Sequence, residues 1–182
     1  MPDFQRKPNR LSPELYTGQY WYFVTLCTQN QSIIFPLFGE DSSSGGCNGD
    51  MEVSTMKLRD IVQECLFGLR QVYPSIQIDQ YVIMPNHIHI ILGFEEATSL
   101  GSIMKSFKGY SQREIVKETE KSIELRQFFH HKEFNHHIFW QKSYYDRIIR
   151  NDQDYERIRQ YIYDNPAQWA SDSLHPDNRK DG

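Results

Sequence analysis

Hydrophobic and polar positions along this chain alternate with two different periods, near 2 and near 3.6, and the switches between them divide it into elements. Tyr20-Trp-Tyr-Phe-Val-Thr-Leu-Cys27 is aromatic and β-branched and predicts a central strand. Residues 1–17 ahead of it are polar and turn-rich, and Glu40 to Asp50 is a flexible loop by composition. Met51-Glu-Val-Ser54 reads as a short strand. Leu58, Ile61, Val62, Cys65, Leu66, Leu69 and Val72 then form one stripe at helical spacing, which Pro74 ends. Ile76 to Met84 is the next strand, Pro85-Asn86 a turn or bulge, and His87 to Leu92 a further strand closed by Gly93. Thr98 or Ser99 caps a second helix running to about Lys117, with Leu100, Ile103, Phe107 and Tyr110 on its apolar face. Residues 118–137 are charged and histidine-rich, and Ile138-Phe-Trp140 is a short apolar element. Tyr144 to Arg150 and Asp152 to Asp164 read as two short helices, the second ended by Asn165-Pro166, and the tail from residue 170 as disordered. The order predicts an α+β fold: an antiparallel sheet with helices packed mainly on one face.

Bulk properties narrow the class. A chain of 182 residues with 38% apolar and 14% aromatic positions builds one domain with a real core, here over residues 18–169. A net charge of -4 does not by itself point to a nucleic-acid binder and leaves local basic surfaces open. Cys27, Cys47 and Cys65 are odd in number and form no CxxC pair. The polar N-terminus lacks an apolar leader core, and no apolar run reaches membrane-spanning length. These features predict a soluble protein of a reducing cytoplasm.

Candidate chemistry begins with His87 and His89. Two residues apart in a strand, they point the same way with Cα atoms roughly 6.5–7 Å apart, within reach of one shared metal ion. Two imidazoles on an otherwise apolar strand are costly to bury unless they are used. A helix packed on that strand through the stripe carrying Tyr110 brings a phenol towards them, and Glu114, one turn further, a carboxylate.

Met84-Pro-Asn-His-Ile-His-Ile-Ile91 resembles the MPNHxH form of the histidine–hydrophobic–histidine (HUH) motif of single-tyrosine transposases. Together with Tyr22-Phe-Val-Thr25, Ile103 to Tyr110, Phe139 to Arg150 and Tyr161-Ile-Tyr-Asp-Asn-Pro166, the chain is similar to the REP-associated tyrosine transposases over about residues 18–169. The resemblance implies a ferredoxin-like HUH nuclease core. It also implies Mg²⁺- or Mn²⁺-dependent cleavage and rejoining of single-stranded or hairpin DNA through a 5′-phosphotyrosine. By position it implies His87 and His89 as metal ligands, Tyr110 as nucleophile and Glu114 as third ligand, with Tyr144 and Tyr145 as competing nucleophiles.

Plainer readings stand beside these. Tyr110 has a plainer reading as a core aromatic beside Phe107, and Glu114 as a surface carboxylate paired with a neighbouring cation. Lys105, Lys108, Arg113 and Lys117 against Glu114, and Lys142, Arg147 and Arg150 against Asp146, make two basic stretches. With Trp140, Tyr144 and Tyr145 between them they suit phosphates and unpaired bases, or form a solvated face. His130, His131, His136 and His137 lack a standard zinc spacing and read as a surface loop. Two rival functions remain: a non-catalytic hairpin-DNA binder, and a metal-dependent hydrolase using bound water. Neither a monomer nor a homodimer is excluded.

Overall fold

The structure is a computed structural model and describes residues 20–37, 49–94 and 99–178. Its elements are β1 (Tyr20–Cys27), α1 (Gly49–Val72), β2 (Gln77–Met84), β3 (His87–Phe94), α2 (Leu100–Lys121), α3 (Ile123–His131), β4 (Tyr145–Ile149) and α4 (Asp152–Asp164). Short 3-10 turns cover Gln29–Gln31, Pro166–Ser171 and Pro176–Asn178. The sheet order is β2-β3-β1-β4, antiparallel throughout, the ferredoxin-like arrangement.

The pleat sorts side chains into two layers. Tyr22, Val24 and Leu26 of β1 and Ile88, Ile90 and Leu92 of β3 face α1, α2 and α3, building the main core with Leu58, Leu66, Ile103, Phe107 and Phe129. An irregularity in the β2–β3 register between Ile78 and Gln80 shifts the alternation, so Ile78, Tyr81 and Ile83 all join this side. On the opposite face Ile91 and Ile149 pack under Ile158 and Ile162 of α4, flanked by Trp21, Phe23, Val82 and Tyr155. Gly93 lies beneath the Trp21 ring, where a Cβ would come within 3.0 Å of it.

Local signals mostly predict the elements, with four corrections. Ser99 caps α2 by accepting from Ser102 N–H, as expected, whereas Thr98 lies outside the described residues. Met51-Glu-Val-Ser54 is not a strand but the first turns of α1. Tyr144 to Arg150 is not a helix: its alternation fits the open edge of β1, and Tyr145–Ile149 pairs there as β4. The histidine-rich stretch holds the end of α2 and all of α3, capped by Ser122. The tail is folded to Asn178, because the Asn86 side-chain amide holds the Leu174 carbonyl at 2.8 Å. The N-terminal segment, the 40–48 loop and Cys47 lie outside the described residues. No helix among the described residues is long and apolar enough to cross a membrane.

Candidate functional site

Because Ile88 and Ile90 face the main core, His87 and His89 project from the other face of β3, under α4. Both are buried, and their Nε2 atoms are 3.0 Å apart. Their far nitrogens are held from behind. Asn86 donates its amide hydrogens to the carbonyls of Gln31 and Leu174, which turns Oδ1 toward His87 Nδ1 at 2.8 Å. An acceptor there requires His87 Nδ1 to carry the proton and leaves the Nε2 lone pair facing inward. Thr25 Oγ1 lies 2.8 Å from His89 Nδ1 and orients that ring in the same way, while Phe23 stacks on it at 5.1 Å.

Helix α4 and the turn after it bring the remaining groups. Asn151 caps α4 by accepting from Asp154 N–H, and the Ile158/Ile162 stripe seats the helix on the sheet. Tyr161, three residues after Ile158, therefore lies over the histidines, and its hydroxyl is 3.2 Å from His89 Nε2. Asn165 follows one helical turn later and is buried, with its Oδ1 making no hydrogen bond. Pro166 stops the helix, and the next turn returns Asp172 to the site. Asp172 Oδ1 accepts from Leu174 N–H at 2.6 Å, and Oδ2 lies 3.9 Å from His87 Nε2. Ligand atoms of His87, His89 and Asp172 all lie within 4.8 Å of one another. Two neutral imidazoles and a carboxylate form a donor set that fits a divalent cation with positions left for substrate.

Electrostatics agree with this geometry. Burial pushes His87 down to about 4, partly opposed by Asp172, and burial followed by the neighbouring His87 holds His89 well below the usual histidine range. Tyr161 is raised by burial and by Asp172, and a hydrogen bond from Asn165 opposes this. Both imidazoles are thus neutral at pH 7. Between about pH 6.5 and pH 4 the unfolded chain takes up protons that the folded one refuses, so stability is full above that window and falls as pH drops through it. The metal-free protein should melt several degrees lower at pH 4.5 than at pH 7, and His87→Gln should make the slope shallower. Identical slopes for the two proteins would contradict a buried neutral pair.

The other sequence-predicted positions divide differently. Tyr110 and Glu114 lie on α2, across the sheet from the histidines, because that helix packs on the Ile88/Ile90 side rather than on the His87/His89 side. Tyr110 is 48% exposed with the Arg113 guanidinium 5.6 Å from its ring centre, and Glu114 pairs with Lys117 at 2.7 Å. Lys105 and Arg113 line a groove between α1 and α2 on that same far side. Trp140 is not a base platform: it is buried, and its Nε1 donates to Ser111 Oγ at 2.9 Å. Lys108 donates to the carbonyls of Gln141 and Lys142, pinning α2 to the approach to β4. Tyr144 packs against the main core and Lys142 is exposed. Only Arg147 and Arg150, with the rival nucleophile Tyr145, line cavities between β4 and α4. Sequence reasoning missed Tyr161, Asn165, Asp172 and the orienting pair Asn86 and Thr25. The Tyr161-Ile-Tyr-Asp-Asn-Pro166 segment held the signal for two of them, a tyrosine and an amide one helical turn apart.

Comparison with known proteins adds three findings. Residues 52–165 match the family model described as "Transposase IS200 like". An uncharacterised protein of Haemophilus influenzae is 29% identical over 187 residues, covering 94% of each chain. The solved structure of a REP-associated tyrosine transposase bound to a REP hairpin superposes with a TM-score of 0.52 at 19% identity, over 93% of this chain and 74% of that one. At that identity the likeness concerns the fold.

Proposed function

Because this chain belongs to the IS200-like transposase family, we propose that it is a single-tyrosine transposase of the REP-associated kind, acting on DNA in the cytoplasm, with Tyr161 as its nucleophile. The observation that carries this reading is the Tyr161 hydroxyl, 3.2 Å from His89 Nε2 at the point where both imidazole lone pairs converge. His87 and His89, with Asp172 or Asn165, would hold Mg²⁺ or Mn²⁺, which when bound polarises a phosphate and neutralises developing charge.

The chain's own groups account for the rest. Asn86 and Thr25 fix the imidazoles before substrate arrives, so no reorganisation is needed during reaction. Phe23 meets the Tyr161 ring edge-on and helps hold it in place. The Tyr161 oxygen bonds to phosphorus as its proton departs, and the P–O3′ bond breaks. The 3′-oxygen takes up a proton and leaves as a hydroxyl, while the downstream strand stays on Tyr161 as a 5′-phosphotyrosine. Attack by a 3′-hydroxyl on that ester rejoins the DNA and frees the phenol. His87, His89 and Tyr161 come from one chain, which suits cleavage by a monomer. The REP hairpin in the related structure points to hairpin-bearing single strands as substrate.

The test uses labelled single-stranded hairpin DNA with Mg²⁺ or Mn²⁺, run on a denaturing gel. A 3′ label should move with the protein and a 5′ label should leave as a shorter free strand, both abolished by EDTA. Salt-sensitive binding without any adduct would overturn the nuclease reading in favour of a hairpin binder, and cleavage without an adduct would favour a hydrolase.

A further inference from the structure

A trough runs from the Tyr161 ring across the β4 edge of the sheet, and its chemistry is unlike the apolar packing elsewhere under α4. The end beside the site is a cavity of about 330 Å³ lined by Phe23, Tyr145, Arg147, Arg157, Ile158 and Tyr161. It continues into a second cavity of about 860 Å³, which shares Tyr145, Arg147 and Arg157 and adds Tyr20 and Arg150. We propose that this trough seats the unpaired strand adjoining the scissile phosphate, with Arg147 and Arg157 as backbone phosphate contacts and Tyr145 as a base-stacking ring. The proposal rests on Tyr161 being the nucleophile, because that places the scissile phosphate at the trough's inner end.

Three observations support it. The Arg147 and Arg157 guanidiniums both donate to Asp154 Oδ1, the latter at 2.6 Å. The Arg157 pair is exposed and adds little stability. What Asp154 does instead is hold two like charges side by side, each with further N–H donors directed elsewhere. Tyr145 is 52% exposed and Tyr20 41%, two aromatic rings turned to solvent at a sheet edge. Phe23 and Ile158 give the trough an apolar floor. Cations in a row, exposed rings and an apolar floor are what a single strand needs, since every base offers a π-face and every linkage a phosphate. A free anion would leave the rings and the floor without a role.

The probe is fluorescent oligothymidylate, which has no hairpin, measured by anisotropy in EDTA. Arg147→Gln with Arg157→Gln should weaken binding about tenfold or more and flatten the salt slope by about 0.7 for each phosphate no longer neutralised. Tyr145→Ala should weaken binding about tenfold while barely changing that slope. Arg157→Lys should keep most of the affinity, which separates charge from fold, and unchanged melting checks the rest. Lys105→Gln with Arg113→Gln, on the far face, should bind like wild type. Wild-type affinity in the trough variants, loss in the far-face variant instead, or no binding by wild type would each overturn the proposal. The covalent assay separates the two readings. An adduct with intact trough-variant binding defeats only the trough; trough-dependent binding without any adduct defeats only the nucleophile.

Discussion

Replacing Tyr161 with Phe should abolish the covalent protein–DNA adduct while leaving the protein folded. The ring remains, so its packing against Phe23 and His89, at centroid distances of 6.0 and 5.2 Å, is kept. Only the hydroxyl is removed, and its bond to His89 at 3.2 Å is worth on the order of 1 kcal/mol. The chemical effect is far larger, because no other phenolic oxygen reaches the convergent Nε2 atoms among the described residues. Removing a nucleophile that acts as one unit with its site lowers turnover by roughly 10⁴-fold or more. Tyr110→Phe, Tyr144→Phe and Tyr145→Phe should each still form the adduct. Persistence of the adduct in Tyr161→Phe, with its disappearance in one of those three, would reassign the nucleophile. Tyr110 is the sharpest control, since the sheet lies between it and the histidines.

The second large effect concerns metal. A cation that binds the folded protein at a hundred times its Kd stabilises it by about 2.7 kcal/mol. For a chain of this size that raises the melting temperature by roughly 5–10 °C. Manganese should produce this shift in wild type and none in His87→Ala or His89→Ala, each measured against its own metal-free form. Both variants should also lose cleavage. The same measurement on Asp172→Asn and Asn165→Ala identifies the oxygen donor, as the variant whose metal shift shrinks. An undiminished shift in His87→Ala would remove the metal from this site. Asn86→Ala provides a subtler check: it frees His87 to rotate and leaves the Gln31 and Leu174 carbonyls without their donor.

The two histidines were readable from the sequence because strand alternation is a local rule, and position i and i+2 share a face whatever surrounds them. The same holds for the α1 stripe, the Ser99 cap and the Pro85-Asn86 turn, all settled within a few residues of chain. The α+β class followed from the order of such elements. β4 escaped this logic because a short run containing Asp146, Arg147 and Ile148 fits either period. Pairing with the open edge of β1, which lies more than a hundred residues earlier, decides the matter.

What only the tertiary structure decided is which helix meets the histidine face. The apolar face of α2 matches the expected stripe at Leu100, Ile103 and Phe107 but continues through Ser111 and Ile115 rather than Tyr110, and an apolar stripe does not say which side of a two-faced sheet it covers. The sheet resolves this through its alternation: Ile88 and Ile90 take α1 and α2, and the face left to His87 and His89 receives α4 with Tyr161 and Asn165. Asp172 was less legible still. Its place depends on the Asn86 amide catching the Leu174 carbonyl across 88 residues of sequence. The sequence by itself therefore determined a strand with two histidines on one side. Tyr161, Asn165 and Asp172 reach that strand through long-range packing, which no local period encodes.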